Sequence, residues 1–329
     1  MSWSGRKALV TGATGFIGSH LTESLVRAGA KVRALVHYNA DDRQGNLELL
    51  SSDIRKEIEV VRGDIRNPEG MDAAAEGVDV VFHLAALIAI PYSYVNPREH
   101  FETNVIGTYN VARAAQRAGV ERFVHTSTSE VYGTARFTPI TEDHPLQGQS
   151  PYSASKIGAD KAVESLQLSF DLPAVTVRPF NTYGPRQSRR AIIPAIISQL
   201  LTSSTLRLGS LEPERDLTFA SDTADGFIAA ADALASDAVG QTFNLGNGAS
   251  ISIGELANRL IEMIRPGARI ETDPARVRPA KSEVGLLLAS NEKARTVLKW
   301  EPRVGLDEGL ERTAEFMTKQ SELGTDYAI

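Results

Sequence analysis

The chain has no cysteine among its 329 residues, and this absence excludes several kinds of site. Without thiols there is no disulfide framework, iron–sulfur cluster, cysteine-ligated zinc or thiol nucleophile. Basic charge is also scarce, since 35 Lys and Arg stand against 41 Asp and Glu, for a net charge of −6. A mildly acidic chain has no general basic field for nucleic acid, so we expect no nucleic-acid partner.

Long apolar runs are missing as well. The longest candidate, 84–90, has seven residues, whereas a membrane span needs about 20. The first residues, MSWSGRK, lack the apolar segment of a secretion signal. The six histidines, at positions 20, 37, 83, 100, 125 and 144, do not have the spacing of metal ligands. The sequence therefore predicts a cytoplasmic protein with no membrane partner and no metal site.

Short β-branched segments alternate with Ala-rich helical stretches through the first half of the chain. This alternation is typical of an α/β protein whose parallel sheet is covered by helices on both faces. The predicted strands are 7–11, 31–37, 58–62, 78–84, 122–126 and 174–178, with an extended piece at 205–208 and a buried strand and turn at 243–248. The predicted helices are 16–28, 102–118, 153–169, 192–201 and 252–264. We expect one sheet domain in 1–180, with about 217–245 returning to it, and a smaller α/β lobe from 181–216 and 246–329.

Three glycines join the first predicted strand to the first predicted helix. Gly12, Gly15 and Gly18 have the spacing GxxGxxG. The first allows a tight turn, the second lets the backbone approach a pyrophosphate, and the third lets the helix pack closely on the strand. The predicted helix then begins at Phe16, and the backbone N–H groups of Phe16 and Ile17 lie at its N-terminus, which attracts phosphate. The turn predicts a dinucleotide cofactor, NAD or NADP.

The adenosine end of this predicted site is less well defined. An acidic residue is expected near the end of the second strand, but Val36 and His37 stand there. His37 or Arg43 tolerates a ribose phosphate, so the choice between NAD and NADP stays open. Asp64, after the third strand, is a candidate acceptor for the adenine amino group. The alternative is that Asp64 caps a helix.

A tyrosine and a lysine provide the candidate proton-transfer pair. Tyr152 and Lys156 are four residues apart in a predicted helix, which places them on one face. A nearby ammonium stabilises a phenolate, so we expect Lys156 to lower the pKa of Tyr152. Such a pair can exchange a proton with a sugar hydroxyl while a nicotinamide accepts hydride. Thr128 follows a predicted strand, where active sites of parallel sheets lie.

Taken together, these motifs resemble the extended short-chain dehydrogenase/reductases that act on nucleotide sugars, whose fold is a Rossmann domain with a smaller C-terminal substrate lobe. Further matches are HLAA at 83–86, TSTSEVYG at 126–133, RPFNTYGPR at 178–186, Arg215 with Asp216, and Arg278 with Pro279. They cover nearly the whole chain. The stretches LVHYN at 35–39 and QGQSPY at 147–152 are most similar to the N-acetylglucosamine-nucleotide 4,6-dehydratases of the legionaminic-acid type.

This resemblance implies roles for individual residues. Thr128 binds the sugar C4 hydroxyl, Tyr152 removes its proton, and Lys156 holds the nicotinamide ribose. Asn181, Arg215 and Arg278 bind the substrate, and Arg190 completes the expected substrate-binding set. The expected cofactor-binding residues are Gly12, Gly15, Phe16, Ile17, Gly18, His37, Asp64, Ile65, Leu84, Ala85, Ala86, Tyr152, Lys156 and Pro179. The family also implies a homodimer, in which the predicted helices 102–118 and 153–169 form a four-helix bundle with their copies.

The reaction that follows C4 oxidation depends on the two residues after Thr128. Glucose-nucleotide 4,6-dehydratases have Asp-Glu there, and the Asp is the acid for the departing hydroxyl. This chain has Ser129 and Glu130. Serine is a weak acid, so Glu130 is the candidate C5 base and is also a candidate proton donor to the leaving water. We rank a 4,6-dehydratase on UDP- or GDP-N-acetylglucosamine first, a 4-epimerase second and a UDP-glucuronate decarboxylase third. A sensor that binds NAD(P) or a nucleotide sugar without turnover is the non-enzymatic alternative.

Overall fold

A computed structural model describes residues 2–274 and 285–322. Its strands are β1 Lys7–Thr11, β2 Lys31–Val36, β3 Ile58–Arg62, β4 Val80–His83, β5 Arg122–Thr126, β6 Ala174–Pro179, β7 Asn181–Tyr183, β8 Thr205–Leu208, β9 Glu214–Phe219, β10 Thr242–Leu245, β11 Ser250–Ser252, β12 Arg269–Thr272 and β13 Leu286–Leu287. Its α-helices are α1 Phe16–Arg27, α2 Ser52–Lys56, α3 Pro68–Ala75, α4 Ile90–Val95, α5 Pro97–Phe101, α6 Thr108–Ala118, α7 Pro151–Phe170, α8 Ile192–Thr202, α9 Ala220–Asp232, α10 Ala235–Ala238, α11 Ile253–Ile264 and α12 Leu306–Glu322.

Seven strands form one sheet in the order β10-β6-β5-β4-β1-β2-β3. Every neighbouring pair in it is parallel. The strand order reverses between β1 and β4, and in open parallel sheets ligands bind at such a switch point, outside the carboxyl ends of the strands. The predicted α/β, Rossmann-type fold is confirmed.

Helices cover both faces of the sheet. One apolar core joins alternate residues of β1 and β2 to α1 and α9, and includes Leu21, Leu25 and Phe227. A second core on the opposite face joins the other residues of these strands to α3, α6 and α7, and includes Val111 and Val163. The strands are apolar on both sides because both faces are buried.

A smaller group of elements follows β6. In it β9 pairs antiparallel with β11 and parallel with β7 and β13, while β8 pairs with β12. A separate apolar core joins α8, α11 and α12 through residues such as Ile196, Leu256 and Leu310. β10 returns to the large sheet beside β6. Within the described ranges, no helix has both the length and the apolar character needed to cross a membrane.

The predicted helix 102–118 begins differently in the structure. Residues Glu102–Gly107 form a π-helical segment, and the α-helix starts at Thr108. The buried Asn104 side chain accepts from Leu87 N at 2.8 Å and donates to Leu87 O at 2.9 Å and to Ser155 Oγ at 2.9 Å. Asn104 therefore holds the loop after β4 against α7. Single π-helical turns of this kind are frequent at functional sites.

Candidate active site

A cleft of about 960 Å³ opens at the carboxyl ends of the large sheet and extends to the smaller lobe. It brings together nearly all the residues that the sequence singled out. Ser129 is the exception, because its side chain is buried and does not line the cleft. Arg278 lies outside the described residues. The predicted residues that line the cleft are Gly12, Gly15, Phe16, Ile17, Gly18, His37, Asp64, Ile65, Leu84, Ala85, Ala86, Thr128, Glu130, Tyr152, Lys156, Pro179, Asn181, Arg190 and Arg215.

The glycine turn has the backbone that its spacing predicts. Gly12 has a φ of +72°, and a Cβ there would lie 2.7 Å from Ala85 N. A Cβ on Gly18 would collide with the Gly12 carbonyl. Gly15 precedes α1 without a side-chain cap, so no side chain satisfies the first N–H groups of this helix. The turn therefore presents a helix N-terminus to the cleft, which suits a pyrophosphate.

At the adenosine end of the cleft, Asp64 is held by an arginine. Arg66 Nη2 donates to Asp64 Oδ2 at 2.6 Å, and His37 Nε2 lies 3.5 Å from the same oxygen. The Arg66 hydrogen bonds lower the pKa of the Asp64 carboxyl to about 2. The alternative role of Asp64 as a helix cap is wrong, because the Asn67 side chain caps α3.

The candidate proton-transfer pair lies in the first turns of α7. Tyr152 is buried and hydrogen-bonds to Thr128, and Lys156 Nζ donates to Thr126 O at 2.7 Å. Burial lowers the pKa of Lys156 to about 8. The expected lowering of the Tyr152 pKa is not observed. Burial raises the pKa of this phenol, and the Lys156 ammonium is engaged by a carbonyl.

A short 3-10 turn carries the residues that follow Thr128. This turn, Ser129–Tyr132, is capped by Thr128, whose Oγ1 accepts from Glu130 N at 3.2 Å. The Glu130 side chain is half-buried and lines the cleft, whereas Ser129 faces the protein interior. Of the two residues that the sequence placed after Thr128, only Glu130 reaches the cleft.

The lobe side of the cleft contributes polar groups to the same space. Asn181 Nδ2 is buried and has no hydrogen-bond partner within the described part of the chain. Arg215, on β9, is half-buried and donates from Nη1 to Glu214 O at 2.9 Å. Arg190 is exposed at the edge. Arg186 does not line the cleft, since it pairs with Glu23 at 2.9 Å.

Comparison with known proteins assigns the family. The profile described as GDP-mannose 4,6 dehydratase matches residues 9–313. The chain belongs to the GDP-mannose 4,6-dehydratase family. This family lies within the extended short-chain dehydrogenase/reductases that act on nucleotide sugars, as the resemblance implied.

Relatives of this family member carry several activities. A UDP-glucose 4-epimerase of Mycolicibacterium smegmatis is 35% identical over 322 residues, which cover 96% of this chain and all of the relative. A dTDP-D-glucose 4,6-dehydratase of Mus musculus is 32% identical over 323 residues, covering 95% of this chain and 89% of the relative. A UDP-glucuronic acid decarboxylase of Arabidopsis thaliana is 32% identical over 320 residues, 94% of this chain and 69% of the relative.

One of the similar solved structures is a nucleotide-sugar dehydratase with NAD bound. The dTDP-glucose 4,6-dehydratase DesIV from Streptomyces venezuelae, as a double mutant with NAD and DAU bound, superposes with a TM-score of 0.84 at 30% identity. The match covers 96% of this chain and 98% of DesIV. Within the described ranges, this family member has no group of three His, Asp or Glu side chains that could hold a metal ion.

A buried polar network behind the cleft was not predicted. Asp160 lies one helical turn after Lys156, and its carboxylate accepts hydrogen bonds from Ser127, Arg178 and His125. The spacing of 152, 156 and 160 could have indicated that Asp160 shares the helix face of the tyrosine and lysine. The partner on β6, Arg178, carries no such local signal.

Proposed function

We propose that this protein is an NAD-dependent nucleotide-sugar 4,6-dehydratase that acts on UDP- or GDP-N-acetylglucosamine. The observation that carries the proposal is the position of Glu130. Its carboxylate lines the same cleft as Thr128 and Tyr152. Elimination of water needs a base for the C5 proton, whereas 4-epimerisation needs only rotation of the ketosugar.

The first step is oxidation at C4. Thr128 positions the C4 hydroxyl, and Tyr152 takes the proton from its oxygen. A bound nicotinamide would supply the acceptor for the C4 hydride and the donor of the hydride that C6 receives. Lys156, one turn from Tyr152, orients the cofactor ribose. The C4 ketone that results makes the hydrogen on C5 acidic.

Glu130 then carries the elimination. Its carboxylate removes the C5 proton and gives that proton to the C6 hydroxyl, which leaves as water. Ser129 takes no part because its side chain is buried away from the cleft. In the last step C6 receives hydride and C5 regains a proton. The proton that C5 takes up balances the proton that the C4 hydroxyl lost in the first step. The product is a 4-keto-6-deoxy sugar nucleotide, one water lighter than the substrate.

The cofactor assignment rests on the glycine turn and the switch between β1 and β4. The uncapped N-terminus of α1 accepts the pyrophosphate, and Leu84 and Ala85 lie against Gly12. Asp64, fixed by Arg66, is the acceptor for the adenine amino group. We assign NAD, and NADP is the alternative because His37 stands where a carboxylate would exclude a ribose phosphate. Equilibrium binding of each dinucleotide to the purified protein separates the two.

Arg215 is assigned to the pyrophosphate of the sugar nucleotide, with Asn181 and Arg190 beside it. The partnerless Asn181 Nδ2 is the donor that a substrate oxygen satisfies. We expect Arg215→Ala to raise KM about 10- to 100-fold, because a charge-assisted hydrogen bond contributes roughly 1.5–3 kcal/mol. kcat should change much less. Arg207→Ala, at an exposed position of β8, is the control and should keep the wild-type KM. A wild-type KM in Arg215→Ala would contradict the assignment.

Mass spectrometry of the sugar nucleotide tests the proposed reaction. The purified protein is incubated with UDP- and GDP-N-acetylglucosamine, UDP-glucose, dTDP-glucose and UDP-glucuronate. Loss of one water supports the dehydratase and identifies the substrate. Loss of carbon dioxide from the glucuronate supports a decarboxylase instead. Proven binding with no transient reduced nicotinamide supports a sensor.

The 4-epimerase is the second candidate function. It is favoured by the 35% identity to the Mycolicibacterium smegmatis UDP-glucose 4-epimerase. An unchanged mass with inverted C4 stereochemistry, read by NMR of the sugar ring, would establish it. The decarboxylase ranks third, because Arg186 is engaged by Glu23 and leaves Arg190 as the cleft-lining candidate for a uronic carboxylate.

A homodimer is the expected assembly. Apolar side chains are exposed along α5, the π-helical segment, α6 and α7, among them Phe101, Ile106, Tyr109 and Leu168. Such a patch marks an interaction surface. We expect light scattering to give twice the 35.5 kDa chain mass. Ile106→Arg should give a monomer, whereas Leu234→Arg, at an exposed apolar position away from these helices, should stay dimeric. A wild-type mass for Ile106→Arg would contradict this interface.

A further inference from the structure

We propose that the buried ion pair between Asp160 and Arg178 is a positioning device, which holds both ends of the turn that carries Thr128 and Glu130. This inference rests on the proposed roles of those two residues. Neither member of the pair lines the cleft, so neither touches substrate. They act through Ser127, which precedes Thr128 and borders the cleft, and through Tyr132, the last residue of the turn.

The first end of the turn is fixed by Asp160. Its Oδ2 accepts from Ser127 Oγ at 2.9 Å and from Arg178 Nη2 at 2.9 Å. Its Oδ1 lies 3.0 Å from His125 Nε2. Burial lowers the pKa of His125, so a neutral ring donates to the carboxylate. Ser127 directly precedes Thr128, so its position sets where the Thr128 hydroxyl lies.

The second end of the turn is fixed by Arg178. Its Nη1 donates to the Tyr132 hydroxyl at 2.9 Å, and its guanidinium lies 4.9 Å from the centre of the Tyr132 ring. The same hydroxyl donates to Asn244 Oδ1 at 2.7 Å. Tyr132 is fully buried and is the last residue of the turn. Two strands, β6 and β10, therefore anchor the end that follows Glu130.

The same pair ties the turn to the helix of the proton-transfer residues. Asp160 belongs to α7, which also carries Tyr152 and Lys156. A displacement of about 1 Å between reacting groups can cost roughly 100-fold in rate. The pair therefore fixes the relative position of the Thr128 hydroxyl, the Glu130 carboxylate and the Tyr152 phenol. Without it, the turn loses its buried ionic link to α7 and keeps only the Tyr152–Thr128 hydrogen bond and the packing of Ile157 against the core that includes Val131 and Tyr132.

Two nearly isosteric variants test this device without leaving a buried charge unpaired. Ser127→Ala removes the link to Asp160, and Tyr132→Phe removes the link to Arg178. We expect each to lower kcat for C4 oxidation about 10-fold, with KM and NAD affinity changed by less than about twofold, because only the turn is displaced. Asp160→Asn should lower kcat further. Thr313→Val is the control, since it removes a buried hydroxyl that bonds Gly309 O in α12.

The second measurement is hydrogen exchange of the backbone amides of residues 128–132. We expect faster exchange there in Ser127→Ala and Tyr132→Phe, and wild-type exchange in Thr313→Val. Folded variants with wild-type kcat and wild-type exchange would overturn the inference. The inference would also be overturned if kcat stayed at the wild-type value and a rise in KM accounted for the whole loss in kcat/KM. A failure of the dehydratase proposal is seen separately, in the product or in the lack of turnover of the wild-type protein, and leaves the exchange measurement intact.

Discussion

Tyr152→Phe should abolish reduction of the nicotinamide by every substrate in the panel. The variant keeps the ring that packs in the cleft and loses only the oxygen that takes the C4 proton. A positioned general base contributes about 100- to 10,000-fold, so turnover should fall by at least that range. Stopped-flow absorbance of reduced nicotinamide measures the step directly. Because Lys156 is unchanged, the variant should still bind NAD.

Tyr94→Phe is the matched control, since it removes a hydroxyl from an exposed tyrosine on α4. It should oxidise C4 at the wild-type rate. Residual C4 oxidation above one-hundredth of wild type in Tyr152→Phe would point to another base.

The pH dependence adds a second check. Since burial raises the pKa of the Tyr152 phenol, wild-type C4 oxidation should still be accelerating with rising pH at neutrality. It should level off or decline once Lys156, with a pKa of about 8, loses its charge.

Glu130→Gln should separate oxidation from elimination. The amide keeps the size of the side chain but cannot accept the C5 proton. C4 oxidation, carried by Thr128 and Tyr152, should continue. Water loss should slow about 100- to 10,000-fold. Rapid-quench mass spectrometry should therefore find a 4-keto sugar of unchanged C6 together with reduced nicotinamide, at a level that the wild type never reaches.

The control for that experiment is Glu121→Gln, which removes an exposed carboxylate next to the opposite end of β5. It should dehydrate normally. Ser129→Ala is informative as well, because the buried hydroxyl takes no part in the proposed elimination and its loss should leave water loss unchanged. Normal turnover by Glu130→Gln would remove Glu130 as the C5 base. Slow elimination in Ser129→Ala would show that Glu130 does not shuttle the proton alone.

The boundaries of several strands could be predicted from the sequence. The strands predicted at 7–11, 58–62 and 122–126 begin and end at those residues in the structure, and the extended piece predicted at 205–208 is strand β8. Each of these strands is a short run bounded by turn residues, and such runs leave little choice of boundary. Strand β4 is shorter than predicted because Val78, although buried, belongs to the turn that precedes it. The π-helical start before α6 has no sequence signature, since it depends on what Asn104 contacts across the fold.

The site was predicted less evenly. Motifs with fixed spacing, such as the glycine turn and the Tyr152–Lys156 pair, lead to residues that line one cleft. One electrostatic expectation, the lowered pKa of Tyr152, was wrong, and the buried ion pair between Asp160 and Arg178 was not predicted. The pKa of Tyr152 rises mainly because the phenol is buried, and the Glu130 and Asp160 carboxylates raise it further; burial is a property of the whole fold. Arg178 was seen only as part of a motif, because its partners Asp160 and Tyr132 are far from it in sequence.

The position of β10 beside β6 has a consequence for how the protein is made. During synthesis, the strands up to β6 are complete before Thr242–Leu245 have been made. One edge of β6 then has no neighbouring strand, and its N–H and C=O groups stay unpaired until β10 forms. Open strand edges of this kind pair with other chains. A fragment ending near residue 180 should therefore aggregate when expressed alone. Any chimera that exchanges the smaller lobe must keep α9 and β10 with the host sheet.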